Sequence, residues 1–208
     1  MKRIDIAVKA MGDEFPAEFI LSHLFMALHG LLVKQKDEDG FVRVGVGFPE
    51  YDAGKPTLGR IMSLFGDKEN LNLLGLPGSI PDLRDFIRIS GPVEIVSPGK
   101  YTAFRKIKPK GALENKIRRA MKRHGYTREE AERMYLDYQD VDRHSKVRGL
   151  PYMKVHSQST GQAYPVYIKS EEASGEAEKF NTFGLQVSGN NATRPKLGSN
   201  EHTGGVPV

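Results

Sequence analysis

Ile4, Ile6 and Val8 recur with a period of two, which predicts a strand over residues 3–9. The period then changes. After Pro16, the residues Phe19, Ile20, Leu24, Leu28, Leu31 and Leu32 fall at helical spacing, so a helix is predicted to run to about Lys34. Asp37 to Gly40 reads as a turn, Phe41 to Phe48 as a second strand and residues 58–65 as a third. Asp67 to Leu76 reads as a short helix ending near Gly75 or Gly78. Phe86 to Val96 supplies more strand, interrupted at Gly91-Pro92. The order is βαββαβ, the ferredoxin-like plan.

After "SPGKY" the pattern is different. Leu113 to His124 is predicted as a helix closed by Gly125, a favourable residue just past a helix end. Thr127 and Glu130 have capping-box spacing, so a second helix should begin there and run towards Tyr138. Residues 139–150 are charged and read as irregular. In "VHSQSTGQAYPVYI" (155–168) a polar cluster precedes the alternation of Tyr164, Val166 and Ile168, and is longer than a plain hairpin turn needs. Lys179 to Val187 reads as a final strand and Asn190 to Gly205 as a loop or tail. The predicted class is α+β. A ferredoxin-like domain spans 1–98, and a C-terminal part, 99–208, carries the arginine-rich helix and a small antiparallel sheet.

Composition narrows the function. The chain has 208 residues, 38% of them hydrophobic, with a mean hydropathy of -0.47. It contains no cysteine, which excludes disulfides and thiolate zinc sites. "MKRIDIAVKA" has no apolar run of the signal-peptide kind. Phe19 to Val33 is interrupted by Ser22, His23 and His29 and is short for a bilayer span. A soluble, cytoplasmic protein without a membrane partner is expected. The net charge of +5 is unevenly spread. Arg105, Lys106, Lys108, Lys110, Lys116, Arg118, Arg119, Lys122 and Arg123 lie close together, with Glu114 as their one acidic neighbour. On the helix 113–124, Leu113, Ile117, Ala120 and Met121 share one face. Asn115, Lys116, Arg118, Arg119, Lys122 and Arg123 fill the other. A merely solvated face would mix in glutamates at i,i+4 spacing; a cationic stripe of this kind fits a nucleic-acid backbone.

The histidines point to chemistry. There are six, none in an HExxH pattern, and His23 and His29 sit about 240° apart on their helix. No metal and no cofactor is predicted. His29, near the end of the first helix, reads either as a boundary histidine packed beside the core or as an acid or base. RNA brings its own nucleophile, the 2′-OH. One histidine with hydroxyl and amide donors could cleave it without metal. The polar cluster at 156–162 offers such donors; its plainer reading is a hydrogen-bonded turn.

Five segments, "DEFPAEFILSHLFMALHG", "VGVGFPEYD", "ENKIRRAMKRHG", "LPYMKVHSQSTGQAYPVYI" and "FNTFGL", together resemble the CRISPR-RNA-processing endoribonucleases of type I-F systems. The likeness runs in order over 3–187. It implies a basic helix that enters the major groove near the end of a short RNA stem. It also implies metal-independent cleavage at the 3′ base of a repeat hairpin, leaving 2′,3′-cyclic phosphate and 5′-OH ends. Family members stay bound to the product and join a surveillance complex of other type I-F proteins. A monomer is expected, free or on one RNA. By position, His29 resembles the catalytic histidine and Ser157 the serine that holds the 2′-OH, with Ser159 and Thr160 near the scissile phosphate. Tyr164 stands for a phenylalanine and could stack on a base at the foot of the stem. Asn115, Arg118, Arg119, Lys122 and Arg123 match the RNA-contacting helix, with lysine in place of arginine at 122.

Three departures accompany the resemblance. Lys106 and Lys108 stand where a relative reads bases with arginine and glutamine. Lysine cannot reproduce a bidentate contact, so the recognised pairs could differ. Arg105 could serve if the register slips by one. Phe183 stands where a tyrosine helps order the active site. A stretch at 188–203 is extra. The competing reading is a non-catalytic module that binds structured RNA; it needs the same helix but no proximity of His29 and Ser157.

Overall fold

A computed structural model describes residues 1–9, 15–95, 101–109, 113–136, 145–157, 161–173, 175–187 and 204–207. Ser159, Thr160 and the stretch 188–203 lie outside the described residues, and the helix predicted to run towards Tyr138 instead ends at Arg133, with Met134 as its C-cap. In chain order the elements are β1 (Lys2–Val8), α1 (Ala17–Lys34), β2 (Gly45–Gly47), β3 (Ile61–Gly66), α2 (Lys68–Asn72), a 3-10 turn (Pro81–Leu83), β4 (Ile87–Ile89) and β5 (Val93–Glu94). There follow β6 (Tyr101–Ile107), α3 (Leu113–His124), α4 (Arg128–Arg133), β7 (Tyr152–His156), β8 (Ala163–Ala173), β9 (Gly175–Glu176) and β10 (Gly204–Pro207). The chain is α+β, as its periodicity predicts.

The first sheet has the order β2-β3-β1-β4, with β5 beside β1. β1 is central and pairs antiparallel with β3 from Lys2↔Gly66 to Ala7↔Ile61. Its alternation buries Ile4, Ile6 and Val8. α1 buries Ile20, Leu21, Leu24, Phe25, Leu28 and Leu32. Phe19 does not join that face: it stands about 180° from Leu28 on the helical wheel and is 49% exposed. The second sheet has the order β7-β8-β6-β10-β9, with β10 and β9 parallel and the β7–β8 pair antiparallel.

Two compact units result. Met1–Lys106 and Gly149–Val208 form one, and Ile107–Arg148 the other. In the first, Met153, Val155, Val166, Ile168, Phe180 and Leu185 are buried in the same core as α1 and β1. A side-chain bond reinforces this: Ser22 Oγ on α1 accepts the Lys154 backbone N–H of β7 at 3.3 Å. In the second unit α3 and α4 share a small core of Ile117, Ala120 and Ala131. Arg128 holds the two helices from outside, donating to both carboxylate oxygens of Glu114 (3.2 and 2.9 Å) and to Glu132 (2.7 Å). Those two carboxylates raise the Arg128 pKa above its ordinary value, Glu132 most. Glu114 is therefore paired with Arg128 as well as sitting in the first turn of α3.

Further local expectations need correction. The helix predicted over Asp67 to Leu76 is the shorter Lys68–Asn72, which closes at Leu73. The predicted strand Lys179–Val187 does not form. Phe180 bridges Val42, Gln186 bridges Arg105, and the residues between turn back on themselves. The reason is local: Asn181 Oδ1 accepts the backbone N–H of Phe183 (2.8 Å) and of Leu185 (3.3 Å), and Gly184 has φ 71°. The predicted strand Phe41–Phe48 shortens to Gly45–Gly47, because Val42 pairs with Phe180 instead of a strand neighbour. Gly204 and Gly205, read as loop or tail, lie in β10. Elsewhere the predicted capping box of α4 is present, Thr127 Oγ1 accepting from Glu130 N–H and Glu130 returning the bond. Replacing that cap should therefore cost about 1 kcal/mol of α4 stability. Thr127→Ala is expected to speed amide hydrogen exchange across 128–133 while leaving exchange in α1 unchanged.

Candidate active site

α1 carries His29 to its C-terminal half, next to the fully buried Leu28. The His29 Nδ1 lies 2.7 Å from the Thr182 carbonyl oxygen. A carbonyl only accepts, so Nδ1 carries a hydrogen and donates it. Nε2 is then the nitrogen left for proton transfer: a lone pair in the neutral ring, an N–H in the cation. It makes no hydrogen bond among the described residues. The imidazole lies flat on the Phe183 ring, with centroids 4.0 Å apart and planes 7° from parallel. Phe183 is also stacked with Phe25, one turn back on α1, at 5.3 Å and 17°. Ring position and tautomer are thus both held before any substrate arrives.

The loop that does this is "FNTFGL", and each residue has a part. Phe180 is buried and exchanges two backbone hydrogen bonds with Val42 at 2.9 Å. The Asn181 carboxamide ties the turn, Thr182 supplies the carbonyl and Phe183 the ring. Gly184 takes a left-handed backbone, and its carbonyl accepts Val46 N–H at 2.7 Å. A Cβ there would stand 2.4 Å from Val46 Cγ2, so only glycine lets the loop approach this closely. Leu185 anchors the far end in the core.

Lys106, at the end of β6, is drawn into the same cluster. Its ammonium stands 4.5 Å from the Phe183 centroid and 5.3 Å from that of Tyr164. Tyr164 lies opposite Val155 in the β7–β8 register. Ser157 follows the end of β7 and is half-buried. Its N–H donates to Gln162 O at 2.9 Å and its carbonyl accepts from Gly161 N–H at 2.8 Å. Arg105 is committed internally: Nη1 donates to Val187 O at 3.0 Å, and Nε lies 3.0 Å from a Glu171 oxygen. That second contact is a close approach of charges without hydrogen-bond alignment. Lys108 is exposed beyond the strand.

Within the smaller unit, α3 presents the predicted cationic face. Asn115, Arg118, Arg119, Lys122 and Arg123 are exposed. Arg118 donates to Asn115 Oδ1 at 3.2 Å. Arg119, Lys122 and Arg123 pair with no carboxylate among the described residues. Such a face attracts polyanions with no internal neutralisation to undo. No group of three or more His, Cys, Asp or Glu comes together among the described residues.

A family model of CRISPR-associated proteins, Cas_Csy4, matches residues 4–197. The chain belongs to the Csy4 family. It is also similar to the CRISPR-associated endonuclease Cas6/Csy4 of Pseudomonas aeruginosa (strain UCBPP-PA14), with 30% identity over 188 residues, 89% of this chain and 95% of that protein.

In this Csy4-family chain His29 and Phe183, assigned from sequence, stack directly, and Lys106 and Tyr164 adjoin the same rings. Ser159 and Thr160 lie outside the described residues. Sequence reasoning missed the Thr182 carbonyl and the Asn181 side chain. The signal was available, because an asparagine three residues before a glycine marks a turn; the apolar alternation around it hid that. Two outcomes are expected. Gly184→Ala should lose about 1–2 kcal/mol from the left-handed backbone alone, seen as a lower denaturant midpoint, with more from the Val46 clash. Nitrogen NMR of neutral His29 should show the Nδ1-protonated tautomer, and a dominant Nε2-protonated form would contradict the Thr182 bond.

Proposed function

We propose that this protein is a metal-independent, hairpin-specific endoribonuclease that cleaves precursor CRISPR RNA at the 3′ base of the repeat stem. The observation that carries the reading is the histidine with one nitrogen committed to Thr182 and the other left for proton transfer. The name of the Pseudomonas relative, an endonuclease, supports the same reading.

The reaction needs little from the protein. The 2′-oxygen attacks the adjacent phosphorus in line with the departing 5′-oxygen. The products are a 2′,3′-cyclic phosphate and a 5′-hydroxyl, one proton leaving the nucleophile and one joining the leaving group. His29 Nε2 carries the proton transfer, accepting when the ring is neutral and donating when it is charged. Ser157 orients the 2′-OH, Ser159 and Thr160 support the phosphate, and Tyr164 stacks on the last base of the stem. Phe183 keeps the imidazole flat, so the tyrosine hydroxyl of relatives is not needed for that task. Lys106 brings a positive charge to the rings at the foot of the stem. The cationic face of α3 takes the hairpin backbone through Arg118, Arg119, Lys122 and Arg123 with Asn115, and Lys108 adds to it. Arg105, spent on Val187 and Glu171, is not a contact in this scheme. The cleaved hairpin stays bound and is handed to a type I-F surveillance complex.

The test is direct. His29→Ala should lower single-turnover cleavage by about 100- to 10,000-fold while hairpin affinity stays near wild type. Cleavage that survives, or that depends on added magnesium and stops in EDTA, would sink the proposal. A 2′-deoxy nucleotide on the 5′ side of the cut should block the reaction. Arg119→Ala and Arg123→Ala should instead weaken binding across salt concentrations, each lowering the salt slope by about one.

A further inference from the structure

The Thr182 carbonyl that fixes the His29 tautomer shares one peptide unit with the Phe183 N–H. A trans peptide is planar, and its C=O and N–H point in opposite directions. Holding the N–H therefore settles where the carbonyl points. Asn181 Oδ1 holds it, accepting the Phe183 N–H at 2.8 Å. His29 Nδ1 takes the other end at 2.7 Å. Among the described residues these are the two hydrogen bonds that this peptide makes. The turn around it closes through Gly184 N–H, which donates to the Asn181 carbonyl at 2.8 Å and puts Thr182 and Phe183 at its centre. Neither central residue has a positive φ, which fits a type I turn. The type II form differs by a half-rotation of the 182–183 peptide and needs φ above zero at Phe183. In that form the carbonyl would point away from His29, and an N–H would face Nδ1.

We propose that Asn181 is a positioning residue for cleavage: its carboxamide aims the Thr182 carbonyl at His29 and so keeps Nε2 as the nitrogen that transfers the proton. This rests on the proposed role of His29. A histidine side chain free in water favours the Nε2-protonated neutral form, so the opposite tautomer has to be held. The backbone bonds of Phe180 to Val42 and of Gly184 to Val46 fix the two ends of the loop. They leave the 182–183 plane between them to Asn181. Its oxygen is itself well fixed, because it also accepts the N–H of the buried Leu185 at 3.3 Å. An asparagine suits the place, since its short side chain reaches the backbone two residues on. From Asn181 Oδ1 through the peptide to His29 Nδ1 the hydrogen bonds all run in one sense, so each polarises the next. Asn181 thus acts on the imidazole through a peptide, without a bond to the ring of its own among the described residues.

The test uses the full chain with substitutions at Asn181. Asn181→Ala removes the acceptor. Asn181→Gln keeps the amide but sets its oxygen one methylene farther out. Asn181→Asp keeps an acceptor in place. Asn181→Ala and Asn181→Gln should each slow single-turnover cleavage at saturating protein by about fivefold or more, with hairpin affinity within about twofold of wild type. Nitrogen NMR of both, without RNA, should show a share of Nε2-protonated neutral His29 that wild-type protein lacks. Asn181→Asp should return rate and tautomer to wild type. Wild-type rate and tautomer in the Ala and Gln variants overturn the inference. So does a loss of rate matched by an equal loss of hairpin affinity, and so does an Asp variant that restores the tautomer but not the rate. Failure of the nuclease reading itself looks different: wild-type protein would not cut the hairpin, or His29→Ala would still cut it, while the tautomer change in the Asn181 variants would stand.

Discussion

The hydrogen bond from His29 Nδ1 to the Thr182 carbonyl joins residues 153 positions apart, and the site is organised around it. It sets the tautomer, and it needs both partners in place at once. α1 must end at the right height, which Leu28 and Leu32 secure by burial in the core. The 180–185 loop must lie against residues 42–46, which the Val42–Phe180 and Val46–Gly184 backbone bonds secure. Buried backbone groups must find partners, and here loop and strand satisfy each other instead of extending the sheet.

The aromatic contacts around that bond limit what the imidazole can do. Flat on Phe183, with Phe25 one turn back, the ring keeps its orientation. Lys106 above Phe183 and Tyr164 adds a positive charge beside those rings. Position, tautomer and local field are thus assigned to separate residues. A change at one alters the chemistry in a way that can be told from a change at another.

The smaller unit answers a different demand. Its core is little more than Ile117, Ala120 and Ala131, with Leu113, Met121 and Tyr135 packed beside it. A helix that gives most of its circumference to charge has little apolar surface to bury. The capping box and the bridge from Arg128 to Glu114 and Glu132 make up for part of that. The bridge leaves the arginines at 118, 119 and 123 outside it.

Local spacing in the sequence determined much of this protein. The faces of α1 and α3, the alternation of β1 and β8, the Thr127 cap and the Gly125 end all follow from contacts a few residues apart, which obey fixed helical and strand geometry. His29 and Phe183 were also legible as candidates, through likeness of short segments to a family. The sequence misled where apolar alternation coincided with a turn, at 179–187, and where strand length depended on a distant neighbour, at 41–48. Only the tertiary structure decided that Thr182 faces His29 and that Lys106 rests on Phe183. Those pairings depend on chain closure across a common core, and no period within either segment encodes which partner lies opposite it.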